Sequence, residues 1–239
     1  KFYITIYRDC NAEGAWFDDP LKLAVYNNNN LIQNVDIFFP GYITLPIDFN
    51  NPCATAPTDV CVQRAIYEKT LNLPPVAGGY TVSYQRCCRG PNVMNIVNPA
   101  DTGLTLTTHV PGTETGISNN SSPRFSNYPP TLLCVGEELV FDHSAIDPDG
   151  DELVYSLVSP YIGASSFDPA PGQAPPPPYF PVQWIGGFNA NSPLGPGSTS
   201  SIDNNGMFTV NPSIIGLMVV GVRVQEYRNG QLIGETIRD

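Results

Sequence analysis

Basic residues are scarce in this chain: Lys and Arg number 11 against 22 Asp and Glu, for a formal net charge of −11 and a pI near 4.4. That balance excludes a nucleic-acid partner, since phosphate backbones are held by clustered Lys and Arg. It also disfavours anionic membrane surfaces. No apolar run approaches the ~18 residues of a spanning helix, so no membrane insertion is expected. Histidine is nearly missing, with only His109 and His143. GxSxG, HExxH and phosphate-binding glycine loops are lacking. Asp142, His143 and Ser144 are successive residues of one predicted strand and point to alternating faces, so they do not line up as a catalytic triad. The chain therefore reads as non-catalytic. No basic segment followed by an apolar one opens it, which suits a fragment starting inside a mature protein.

Turn formers dominate what is present: 25 Pro and 21 Gly, with many Asn and Thr, leave no long amphipathic helix and point to an all-β chain. Strand patterns run over residues 2–7, 22–26, 42–47, 63–73, 80–86 and 104–110. A second set covers 139–145, 153–158, 180–188, 207–211, 218–227 and 232–238. A polar stretch, 112–122, separates the two sets, and two tandem β-sandwiches are expected, residues 1–118 and 119–239. Asn229-Gly230 marks a hairpin, because both residues tolerate positive φ. Residues 159–181, with four consecutive prolines at 175–178, suit a stiff loop laid across a sandwich. Trp184, Phe188, Tyr179 and Phe180 beside it are candidates for a sugar platform, although core packing is the commoner role of such residues.

Cys10, Cys53, Cys61, Cys87, Cys88 and Cys134 lack the CxxC spacing and histidine neighbours of a zinc site, so disulfides in an oxidising space fit better. Cys53 and Cys61 close a short loop and read as a local staple. Cys10 ends the first strand, and one of Cys87 and Cys88 is expected to bond it, leaving the other for Cys134. Sequence alone does not choose among the connectivities.

Carboxylates concentrate in Asp147-Pro148-Asp149-Gly150-Asp151. Pro148 fixes its backbone and Gly150 permits a bend, so three carboxylates can converge as hard oxygen ligands for Ca²⁺. An EF-hand is rejected, because its obligatory Gly and Glu positions hold Glu152 and Val158. Residues 153–158 then alternate as a strand, placing the motif at a strand start. The plain alternative is a solvated Asp-rich turn.

The segments SAIDPDGDELVYSL, IDNNGMFTVNP and IGLMVVGVRVQEYRNG resemble bacterial cadherin-like and immunoglobulin-like repeats, in which an Asp-rich strand start and a late acidic residue bind calcium. Glu226 takes the late acidic position. The stretch NNSSPRF at 119–125 resembles the cadherin inter-repeat linker without its acids, which makes Asn119 and Asn120 weaker ligand candidates, with Asp142 a further contributor. YRDCN at 7–11, GGYTVSYQRCCRGPNVMNI at 78–96, DHSA and EYRNG together resemble a repeat module of large gliding-motility-associated surface proteins of Bacteroidota, exported by the type IX secretion system. The related pattern has cysteines where this chain has Val158 and Arg223, so one familiar disulfide is missing. No sorting domain of that family is visible.

The resemblance implies a calcium- and disulfide-stiffened structural segment of a secreted bacterial cell-surface adhesin or filament. Its implied partners are neighbouring repeats of the same long protein, further copies in a filament, and a surface glycan or protein ligand. The alternative is a carbohydrate-binding module, centred on Trp184, of a surface protein or exported hydrolase.

Overall fold

The computed structural model describes residues 1–11, 14–46, 61–129 and 132–239. Among them the chain is all β, with antiparallel sheets and only two short 3-10 turns, Pro99–Asp101 and Thr113–Thr115. Strands β1 (Phe2–Asp9), β2 (Leu21–Asn27), β3 (Asn30–Ile37), β4 (Ile43–Thr44), β5 (Val62–Lys69), β6 (Tyr80–Arg86) and β7 (Leu104–Val110) come first. They are followed by β8 (Arg124–Phe125), β9 (Leu139–Asp142), β10 (Ala145–Ile146), β11 (Glu152–Val158), β12 (Thr199–Ile202), β13 (Met207–Asn211), β14 (Gly221–Arg228) and β15 (Gln231–Arg238).

The chain divides into two compact units, one of residues 1–23 and 34–74, the other of residues 24–33 and 75–239. In the first, sheet β1-β5-β4 presents Gln63, Ala65 and Tyr67 as its buried positions, at the period of 2 that a half-buried strand requires. Phe17 stacks on Phe39 and Tyr42, with ring centroids 5.4 and 6.1 Å apart, and the Tyr67 hydroxyl donates to the Asp18 carbonyl at 2.7 Å. Arg8 lies over the Trp16 ring at 4.7 Å. β1 and β5 pair Asp9 with Val62, so the next residues, Cys10 and Cys61, also face each other and form a disulfide with Cα atoms 5.4 Å apart. This replaces the expected Cys53–Cys61 staple; Cys53 itself lies outside the described residues. Cys87 bonds its neighbour Cys88, so neither is joined to Cys10 or Cys134 as expected. Cys134 is disulfide-bonded as well.

Strand β6 lies between β2 and β7 in a sheet of order β3-β2-β6-β7, to which the second unit contributes β6, β7, the end of β2 and the start of β3. One face of it is polar yet buried: Ser83 and Gln85 are 1% and 5% exposed. The proline-rich segment covers that face. Gln85 donates to Thr105 Oγ1 at 2.9 Å and accepts from the Ala164 backbone at 2.9 Å, while Tyr26 donates to the Ala174 carbonyl. A side chain at Gly163 would collide with Gln85 and Thr105, so glycine is required at this crossing. Sheets β11-β14-β15 and β12-β13-β9 face each other as a sandwich, with Phe208, Val210, Leu139 and Leu157 in one apolar cluster. Asn229 and Gly230 take φ of 53° and 76° and turn β14 into β15, as the sequence indicates.

The expected boundary near residue 119 falls inside this second unit. Asn95, fully buried, donates to the carbonyls of Pro193 and Val219 at 3.0 and 2.8 Å and accepts from the Val219 amide at 3.0 Å. Arg89 pairs with Asp239 and donates to Gly103. Residues 180–188 form no strand; Trp184 makes one isolated bridge to Ile96, packs on Val93, Val182 and Val219, and donates to Ser159 Oγ at 2.8 Å. Its ring is partly buried by this packing.

Two outcomes follow. Replacing Cys10 and Cys61 together by Ser frees a loop with a sequence separation of 51 residues. The loss expected is about 4 kcal/mol of unfolding free energy for the first unit, read by urea denaturation. His143, ringed edge-on by Phe125, Phe141 and Phe208, has its pKa lowered from 6.5 to about 4 by burial first and by Arg238 second. The folded state therefore resists its protonation, and stability present above pH 6.5 is lost as pH falls toward 4. His143→Phe should remove on the order of 2–3 kcal/mol of that acid sensitivity in denaturant titrations.

Candidate functional site: an acidic cage at the start of β11

The cage is assembled by turn chemistry and strand register. Asp147 Oδ1 accepts from the backbone amides of Asp149 and Asp151 at 2.8 and 3.1 Å, an Asx-type turn that winds the motif around its first carboxylate. Gly150 takes φ of 79° to close it. One oxygen each from Asp147, Asp149 and Asp151 then lie within 4.8 Å of one another. β11 begins directly after Asp151 and pairs Leu153 with Glu226 and Glu152 with Tyr227. The period of 2 puts Glu226 and Arg228 on one face of β14, opposite Leu153 and Asp151.

Glu226 is fully buried, and neither of its carboxylate oxygens makes a well-formed hydrogen bond, although the Asn120 side chain lies close enough to favour its charged form. Gly234, its partner on β15, makes the space: a Cβ there would stand 2.7 Å from Glu226 Oε2. Burial raises the Glu226 pKa to about 7, with the neighbouring Asp151 and Asp147 carboxyls adding to the rise and Asn120 opposing it. Asp147 Oδ2 is also buried and has no hydrogen-bond partner. Orphaned oxygens in a buried acidic cluster are costly unless a proton or a cation joins them.

Arg228 closes the outer side. It grips both oxygens of Asp151 at 2.6 Å, holding that carboxyl below its ordinary range, and stands 3.7 Å from Asp149. The same guanidinium donates to the Asn119 carbonyl at 2.8 Å and to Asn120 Oδ1 at 3.1 Å, while the Ser121 amide donates to Asp149 Oδ2 at 2.6 Å. The 119–121 segment is thus tied to the Asp motif.

Of the residues singled out from sequence, Asp147, Asp149, Asp151, Glu226, Asn119 and Asn120 come together here. Asp142 does not join them: its Oδ1 accepts from the Ser144 amide at 2.8 Å, and its carboxyl is held low by Ser144. His143 sits among phenylalanine rings with Nδ1 3.5 Å from an Arg238 nitrogen, an arrangement that gives Ser144 no base. Arg228 and Ser121 were not legible as site residues. The signal for Arg228 was its spacing of two from Glu226, one residue past the strand expected at 218–227; β14 in fact runs to Arg228.

The donor set is hard oxygen from carboxylates and amides, and it includes three buried atoms without a well-formed hydrogen bond. This chemistry fits a divalent cation of the Ca²⁺ type, which takes about 6–8 oxygens. Asp147, Asp149, Asp151 and Glu226 would hold it, with Asn119 and Asn120 as neighbours. Such a centre, set in an all-β sandwich, defines a class of arrangement rather than a particular protein. No known protein family, curated protein or solved structure matches the chain.

The raised Glu226 pKa has a sign that can be checked without metal. An acid that binds its proton more tightly when folded makes stability fall as pH rises from 4.5 through about 7. In chelator at pH 8, Glu226→Gln should be more stable than the native chain by about 1–2 kcal/mol, the gap closing below pH 4.5. A less stable Gln variant at pH 8 would contradict the buried, poorly partnered carboxylate.

Proposed function

We propose that this chain is a non-catalytic structural segment of a secreted bacterial surface adhesin or filament, stiffened by bound calcium and by disulfides. The observation that carries the reading is Glu226: a fully buried carboxylate whose two oxygens make no well-formed hydrogen bond, set beside three converging aspartates. A cation there would neutralise mutually repelling carboxylates and draw on oxygens from both the Asp motif and the 119–121 segment. Bending freedom of that segment would be removed. The disulfides support an oxidising, extracellular location. Neighbouring repeats of the same protein are the natural partners, and a rod that carries force between them is the role. The similarity of the Asp motif and the late Glu226 to cadherin-like repeats favours the same reading.

The test is a thermal melt of residues 1–239, disulfides intact, in millimolar calcium and in chelator. A site at a hundredfold excess over its Kd adds about 2.7 kcal/mol. Calcium should raise the midpoint of the native chain, and the rise should vanish when Asp149 and Asp151 are both replaced by Ala. An unchanged midpoint in the native chain rejects the calcium reading and leaves Asp147–Asp151 as a turn.

A further inference from the structure

A groove with a cavity volume of about 550 Å³ opens along β7 and β15, on the far side of the β11-β14-β15 sheet from the Glu226 carboxylate. Its size falls within the roughly 300–1,000 Å³ of small-ligand sites. Two tyrosines, Tyr161 and Tyr179, stand along it with ring centroids 6.1 Å apart and planes tilted by 53°, beside Pro177 and Pro178. These are flat, C–H-rich walls.

The opposite lining is polar. The β6–β7 register sets Thr81 beside His109 and Ser83 beside Thr107 on one face. Thr81, Thr107 and His109 make no side-chain hydrogen bonds among the described residues. Ser83, 1% exposed beneath them, lies against the Tyr179 hydroxyl and helps to hold that ring along the groove. Glu235 is the acid among the described lining residues, and Arg223 pairs with it at 3.8 Å. Burial lowers the His109 pKa, keeping the imidazole neutral and able both to donate and to accept.

Each ligand class meets this lining differently. An anionic ligand meets Glu235 in the lining, with Arg223 already paired to that carboxylate, and faces a chain of net charge −11. A purely apolar ligand would seal the row of hydroxyls and the imidazole away from water without partners, which costs about 1–3 kcal/mol per group. A neutral pyranose chain satisfies both sides, with ring C–H faces on the tyrosines and hydroxyls on His109, Glu235 and the threonines. We infer that this groove is a binding site for a neutral oligosaccharide. The inference is independent of the calcium reading and of Trp184.

The experiment uses residues 1–239 with disulfides intact. Hexasaccharides of β-1,4-glucose, β-1,3-glucose, α-1,6-mannose and β-1,4-N-acetylglucosamine are probed by saturation-transfer NMR and titration calorimetry, with an anionic heparin hexasaccharide as comparison. The expected result is binding of at least one neutral probe. Tyr161→Ala and Glu235→Gln should each weaken it by about tenfold or more with an unchanged thermal midpoint. Should Tyr161→Ala fail to fold, Glu235→Gln and His109→Gln serve alone. Absence of binding by every neutral probe, preference for the heparin probe, or affinity unaltered by the substitutions overturns the proposal.

Discussion

A carboxylate buried without a well-formed hydrogen bond is the constraint around which the second unit is arranged. Glu226 sits among Val222 and Val224 on the inner face of β14, where an aliphatic side chain would pack at no electrostatic cost. Keeping the acid there demands three accommodations. Gly234 leaves out its side chain, the Asp motif winds inward, and Arg228 gathers the remaining charge on the outer side. Each is a local sacrifice of packing or conformational freedom to one electrostatic problem. That pattern is characteristic of a binding centre and not of a fold optimising its own core.

Arg228 gives the arrangement its second layer. A guanidinium that grips Asp151 bidentately and reaches Asn119 and Asn120 holds the outer oxygens in register whether or not a metal is present. The inner oxygens, on Asp147 and Glu226, receive no such help. Organisation is therefore uneven: the outer oxygens are held by Arg228, and the inner ones are not. A cation entering this site would find most of its ligands already in place, which lowers the ordering cost of binding.

Legibility from sequence followed the locality of the signal. The Asp motif, the alternation of residues 153–158 and the Asn229-Gly230 turn are short-range patterns, and all appear where the residues indicate. Strand β3, Asn30–Ile37, was missed because only Val35 and Ile37 are buried along it, too few to show a period against the preceding asparagines. Residues 180–188 read as a strand from their aromatic and branched residues, yet Pro181 and Gly186-Gly187 interrupt any ladder and packing around Ile96 takes Trp184 instead. The cysteine pairing turned on which strand neighbours β1, a long-range fact. Asn95 and Arg89 bond to segments more than ninety residues away, long-range contacts that the polar stretch at 112–122 does not announce.

The Asn95 amide has a consequence for how the parent gene can be cut. Its three bonds join a loop near residue 95 to segments near 193 and 219, and Ile96 and Val93 beside it lie against Val182 and Val219. A recombination or truncation at residue 119 would separate one half of a buried amide pair from the other and bare an apolar surface on both fragments. A fragment that keeps both sides of these contacts is therefore longer than residues 119–239, and it carries the cysteine-containing segment at 78–96 along with the acidic cage.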